Sequence, residues 1–356
     1  MISEITRVVP TIFPGFNRAI TCGADDRQLG GYPLGTTGVV HGPAASGKTA
    51  FLLGLGMAFQ RAGGMMAFVD AERVLHIPWV WRLGIDPERM LYFGRYHWAD
   101  RTAKKKLEDM PPLYYEDVIV EVGGWIEQHI KAVQAGQHVG PLLIVVDSLK
   151  KLTPRGFTKS LDKKKGDVRG TALGREQAAF NTGWCAELGP KICDHDIAVV
   201  FVQHEGEGEV DNRGKVQMKL KGGQGIQYDA SVILRMSFGS ATYDLKAQDG
   251  QTNTSVGKKH RVTVEKNKIG PHRRGAASTF EYFISSGDGI CPIGWDRPRE
   301  LMNEGIRRGI LGKAAKWDWS YSPTLGAPFM LGGRRHTLKQ LYQDPELVDQ
   351  LEGLLV

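Results

Sequence analysis

Gly42-Pro43-Ala44-Ala45-Ser46-Gly47-Lys48-Thr49 fits the Gly-x-x-x-x-Gly-Lys-Ser/Thr pattern of a phosphate-binding loop. Its surroundings fit as well: residues 38–41 read as a short strand entering the loop, and residues 50–61 as a helix leaving it. In such a strand–loop–helix unit the loop amides and the helix N-terminus face phosphate oxygens. Gly42, Pro43, Ala44, Ala45, Ser46, Gly47 and Ala50 are therefore the candidate cradle for a nucleoside triphosphate such as ATP. Lys48 can reach the β- and γ-phosphates, and the Thr49 hydroxyl can bind Mg²⁺.

Outward from this loop, apolar runs alternate with helical spacing. Residues 65–69, 142–146, 197–202 and 231–236 read as strands, and 116–135 as a helix. Strands that are apolar throughout are buried on both faces. An α/β fold follows, with a mostly parallel sheet covered by helices on both sides. Residues 95–112, basic and aromatic, and 205–223, rich in Gly and charge, are expected to be surface loops. Residues 1–22 show no clear helical period. From about Phe283 the pattern changes: 301–313 resembles a helix, 317–321 a short strand, and 337–355 contains further helix. The expected division is a short N-terminal segment (1–22, a possible subunit contact), a core (23–283) and a small α+β C-terminal domain (284–356).

Two strands end in acid. Asp147 emerges from the apolar run 142–146, at the strand end where open parallel sheets bind ligands, and would hold Mg²⁺. Phe68-Val69-Asp70-Ala71-Glu72 ends a second strand. A hydrolytic ATPase needs a carboxylate to orient the attacking water, and Glu72 is placed for that. A loop or helix-capping acid would look the same.

The chain has 356 residues, 41% hydrophobic and 24% charged, which is ordinary globular composition. Its four cysteines form no Cys-x-x-Cys pair, so neither a zinc site nor a disulfide framework is suggested. No apolar run reaches membrane-spanning length and no signal peptide begins the chain, so a cytoplasmic protein without membrane contact is expected. The net charge is +7, and residues 150–175 alone carry nine basic and two acidic residues. That surplus follows directly on the Asp147 strand, where it suits a polyanion better than a plain solvated run.

These motifs, in this order, resemble bacterial RecA and the related phage strand-exchange recombinases, from about Thr11 to the C-terminus. The resemblance implies a RecA-like core and an ATP- and Mg²⁺-dependent recombinase. Its partners would be single-stranded DNA, homologous double-stranded DNA and further copies of itself in a helical filament. It makes Glu72 the catalytic carboxylate and places Trp79 against the adenine; His76 stands where the family has an adenine-contacting acid. Lys266 and Lys268, in Val264-Glu265-Lys266-Asn267-Lys268, resemble the lysines that reach a neighbour's γ-phosphate, although lysines on a solvated edge strand fit the same pattern. Gln203-His204 corresponds to the γ-phosphate-sensing pair, with a His that resembles the phage branch.

Two DNA-binding loops follow from the same likeness. The first, 155–175, contributes Lys163, Lys164, Lys165, Arg169 and Arg175. The second, 205–223, contributes Lys215, Met218, Lys219, Lys221, Gly222 and Gly223. Extended, it would turn lysines to phosphates and put an apolar side chain between bases; an amphipathic edge strand reads identically. The family suggests a duplex-DNA gateway around 304–317, where Trp317, Trp319 and Tyr321 suit packing better than base stacking. The short stretch before the core implies a reduced or replaced polymerisation arm, and the chain ends without an acidic tail. A ring-forming motor of the same fold, and a DNA-coating mediator with vestigial nucleotide binding, are the competing readings. Intact Lys48, Thr49, Glu72 and Asp147 argue against the second.

Overall fold

The computed structural model describes residues 7–20, 30–94, 113–156, 169–210, 216–220, 224–243, 257–269, 275–283, 293–315, 318–321 and 330–355. Two short strands, β1 (Val8–Val9) and β2 (Tyr32–Pro33), pair with each other. The next ten form one sheet. They are β3 (Thr36–Gly42), β4 (Met65–Asp70), β5 (Met90–Phe93), β6 (Leu142–Asp147), β7 (Ile197–Val210), β8 (Val216–Leu220), β9 (Val232–Tyr243), β10 (Gly257–Asn267), β11 (Ala277–Phe283) and β12 (Gly294–Trp295). The order is β12-β11-β10-β9-β3-β7-β6-β4-β5, with β8 on β7. From β9 to β5 all neighbours run parallel; β10, β11 and β12 extend the sheet antiparallel.

The central strands are apolar throughout because both faces are covered, and successive residues serve opposite cores. Val40, Val145, Val200, Val202 and Leu234 face one cluster, with Phe51, Leu52, Leu55 and Phe59 of the helix Lys48–Arg61. Val39, Ile144, Val146, Val199, Phe201 and Ile233 face the other. There Val118, Val122 and Trp125 of the helix Tyr115–Gln134 join Trp184, Leu188 and Ile192 of Arg169–Ile192.

Several expectations are corrected. Residues 1–22 contain a helix, Pro14–Ile20, too short to show a period. Phe13 stacks on Phe51 at 5.2 Å, Phe16 meets Phe51 edge-on, and Phe13 lies 4.8 Å from Phe280. Instead of a surface loop from residue 205, β7 runs on to Val210 and pairs with β8 as a hairpin, Glu205 opposite Leu220 and Gly206 opposite Lys219. The polar–apolar alternation of residues 216–220 is a strand period, and pairing with β7 satisfies part of its backbone. The first basic loop ends sooner than expected, since a helix begins at Arg169. The helix read over 301–313 spans Arg297–Arg307. Gly309, with φ of 72°, turns the chain, and Leu311–Ala315 is a strand. That strand pairs with Asp318–Tyr321, which pairs with Met330–Gly332. Two last helices, Arg334–Gln343 and Pro345–Leu355, close a small core of Leu301, Met302, Leu341, Val348 and Leu351. β12, beyond the boundary expected near 284, belongs to the large sheet. Residues 95–112 lie outside the described residues, and among the described residues no helix is long and apolar enough to cross a membrane.

Candidate functional site

The phosphate loop leaves β3 at Gly42, whose φ is 151°, and enters the helix at Gly47, whose φ is 88°. A Cβ on Gly42 would sit 2.3 Å from the Met236 carbonyl oxygen, and one on Gly47 2.6 Å from His260 Nδ1. Both glycines are thus required by space as well as by φ. Lys48 Nζ donates to the carbonyls of Gly42 (3.0 Å) and Pro43 (2.8 Å), so the ammonium curls back over the loop. Burial lowers its pKa, opposed by the charges of Asp147, Glu72 and Glu205. The Thr49 hydroxyl donates to Asp147 at 2.7 Å.

Asp147 is pushed up to about 6 by burial, against the Thr49 hydrogen bond, with Glu72 and Asp70 adding repulsion. A crowded carboxylate beside a hydroxyl suits a hard cation. Among the described residues no three His, Cys, Asp or Glu groups form a metal cage. Mg²⁺ at nucleotide sites needs only one or two protein ligands, with phosphates and water supplying the rest. Thr49 and Asp147 fit that requirement.

Glu72 stands just past β4, its amide on the Asp147 carbonyl. One oxygen accepts from Ser148 Oγ at 2.9 Å and lies 2.9 Å from His204 Nε2. The His204 bond, against burial and helped by Ser148, brings Glu72 down to about 2. Asp70 shapes the following turn by accepting from the amides of Val74 and Leu75. His204 pairs in register with Gly42 across β3 and β7, and Gln203, 2% exposed, with His41.

A cleft of about 410 Å³ opens here, lined by Ala44, Ala45, Ser46, Gly47, Lys48, Thr49, Ala50, Glu72, Asp147, His204, Lys258, His260 and Tyr282. Trp79 is one layer behind: its indole donates to Tyr282 Oη at 2.8 Å, and Tyr282 faces the cleft. His76 caps the short helix Ile77–Arg82 by accepting from the Trp79 amide. Sequence reading missed Lys258, His260 and Tyr282. They come from β10 and β11, and no local motif marks them.

The other candidates lie elsewhere. Lys266 and Lys268 do not line this cleft within one chain. Lys266 donates to the carbonyls of Gln227 and Tyr228, Lys268 to those of Tyr228 and Asp229, at the end of the helix Gln224–Asp229. Arg169 opens its helix and Arg175 is exposed further along it. Met218 and Lys219 are on β8. Lys163, Lys164, Lys165, Lys215, Lys221, Gly222, Gly223 and Trp317 lie outside the described residues.

A family model described as the RecA N-terminal domain matches residues 21–94, the stretch holding the phosphate loop and Glu72. The chain is 28% identical over 329 residues to Protein RecA of Caulobacter vibrioides, covering 91% of this chain and 75% of that protein. Protein RecA of Desulforapulum autotrophicum is 26% identical over 336 residues (91% and 78%), and that of Brucella canis 27% over 338 residues (92% and 75%). The chain is similar to RecA over most of its length. The RecA alignment runs well past the matched domain, so the similarity takes in the β7–β8 hairpin and the strand bearing Lys266. A RecA-like α/β core is what the large, mostly parallel sheet displays.

Proposed function

We propose that this chain is an ATP-dependent recombinase that forms helical filaments on single-stranded DNA and catalyses homologous pairing and strand exchange. The relationship to RecA supports the broader role in recombination and repair. The observation that carries the finer reading is β7. His204, bonded to Glu72 in the nucleotide cleft, and the first, glutamate-bearing strand of the β7–β8 hairpin belong to one continuous strand. Nucleotide state and DNA grip are thereby joined mechanically.

Lys48 and the loop amides would hold the β- and γ-phosphates, and Thr49 with Asp147 the Mg²⁺. When bound, Mg²⁺ neutralises charge on the transferring phosphoryl group. Glu72, ionised at neutral pH, accepts a hydrogen bond from the attacking water and aims it at the γ-phosphorus. A carboxylate held near 2 stores a proton poorly, so orientation is its main contribution. Tyr282, backed by Trp79, offers an aromatic wall for the base. Lys266 and Lys268 would act on the neighbouring subunit's γ-phosphate.

Two measurements test this. ATP hydrolysis should rise on adding single-stranded DNA, and the chain should pair that strand with a homologous duplex in a fluorescence exchange assay. ATPase without pairing would reduce the reading to a motor; neither activity would defeat it. Mixing Lys266→Ala/Lys268→Ala chains with Glu72→Gln chains should restore part of the ATPase lost by each. No recovery in demonstrably mixed filaments would refute catalysis across the interface.

A further inference from the structure

Beside the cleft, four ionisable side chains meet on four adjacent strands: His41 on β3, Glu205 on β7, Arg235 on β9 and Glu265 on β10. The side chains of His41 and Glu205 are 5% and 1% exposed. Arg235 grips both Glu205 oxygens, through Nε at 2.6 Å and a terminal nitrogen at 3.3 Å. His41 Nδ1 is 3.1 Å from Glu205 and its Nε2 2.8 Å from Glu265. Ionised carboxylates only accept, so both contacts are hydrogen bonds when each ring nitrogen carries a proton. None of the four lines the cleft, yet each of three members adjoins a residue with an assigned task. His41 precedes Gly42 of the phosphate loop, Glu205 follows His204, and Glu265 precedes Lys266.

A buried carboxylate is costly to leave unpaired, so Glu205 is fixed where His41 and Arg235 meet it. β7 leaves the main sheet as the hairpin at that residue, where Glu205 begins the pairing with β8. The cluster therefore sets the direction in which the hairpin departs. Its strength depends steeply on separation at low dielectric, so a shift of the phosphate-loop strand is felt at the hairpin root.

We propose that His41, Glu205, Arg235 and Glu265 are positioning residues that couple the nucleotide cleft to the β7–β8 hairpin and to the strand bearing Lys266. The proposal rests on the reading of the hairpin as a DNA-binding element. Removing one buried partner strands the other, so the principal variant replaces both, as Glu205→Leu/Arg235→Met. Glu265→Gln, at the cluster's half-exposed rim, is the second variant and leaves the buried pair intact.

The readouts are nucleotide affinity, the ratio of single-stranded DNA affinities with a non-hydrolysable ATP analogue and with ADP, and hydrogen exchange of amides 206–210 in each nucleotide state without DNA. The paired variant should bind nucleotide as the parent does. Its affinity ratio should fall about tenfold, and the analogue-dependent protection of 206–210 should vanish. Glu265→Gln should move ratio and protection the same way by a smaller factor. An unchanged ratio and protection in Glu265→Gln overturns the proposal, whether or not the paired variant folds. Nucleotide binding lost in step with the ratio would also overturn it, showing mere support of the phosphate loop. Because exchange is read without DNA, a parent chain that failed to bind DNA would sink the proposed function and leave this result standing.

Discussion

Glu72 is held well below the usual carboxylate range by two neighbours, His204 and Ser148, each 2.9 Å from the same oxygen. The other oxygen, which has no hydrogen-bond partner among the described residues, is the one that orients water in the proposed mechanism. Glu72→Gln should keep nucleotide binding and lower kcat by about a hundredfold or more. Lys48→Ala should weaken binding as well as turnover, because in the proposed mechanism the ammonium would meet phosphates in ground and transition states alike. Isothermal titration with a non-hydrolysable analogue, set beside steady-state ATPase, separates the two. Near-parental turnover in Glu72→Gln would remove it from the mechanism. Lys48, Thr49, Glu72 and Asp147 were legible because their spacing from one strand or loop is local. Tyr282, Lys258 and His260 were not, because sheet order alone brings β10 and β11 to the phosphate loop. For the same reason Trp79 reads as a wall of the site, while the fold puts Tyr282 in front of it.

At the scale of elements, the buried strands were plain in sequence because apolar runs of five or six residues have few alternatives in a covered sheet. Misreadings fell where two periods compete. Glycine and acid in residues 205–210 suggested a loop, but pairing with β8 makes them a strand. Residues 301–313 keep a helical pattern past the turn that Gly309 imposes. The hairpin and the basic segment 150–175 are expected to share the DNA backbone. Neutralising Lys163, Lys164 and Lys165 to Gln should lower the slope of log affinity against log salt by about two. Every DNA sequence should be weakened alike. A titration from low to moderate salt on two unrelated oligonucleotides checks both points, and an unchanged slope would mark the three lysines as ordinary solvated charges.

Across the whole molecule, ion pairs tie the C-terminal helices to the core, Arg18 to Glu304 and Arg61 to Glu352. Glu304, 4% exposed, accepts from Arg307 and Arg308 of its own turn and from Arg18 of the N-terminal helix. Burial raises its pKa, but the three guanidinium groups win and bring it from its ordinary 4.5 to about 2. A depressed carboxylate stabilises the fold fully above its unfolded pKa, and that stability is lost as pH falls from about 4.5 towards 2. Glu304→Gln should therefore cost on the order of 2 kcal/mol at neutral pH and flatten the acid limb in that window. Urea melts at several pH values would show it, and a parallel loss at all pH values would assign the effect to packing. At the same scale, the competing ring-forming motor shares the phosphate loop, Glu72 and cations supplied across an interface, so assembly separates the two most directly. The decisive measurement is electron microscopy of the chain with long single-stranded DNA and a non-hydrolysable ATP analogue. The account predicts continuous helical filaments along the DNA that disperse when ADP replaces the analogue; closed rings, or naked DNA under conditions where nucleotide is bound, would contradict it.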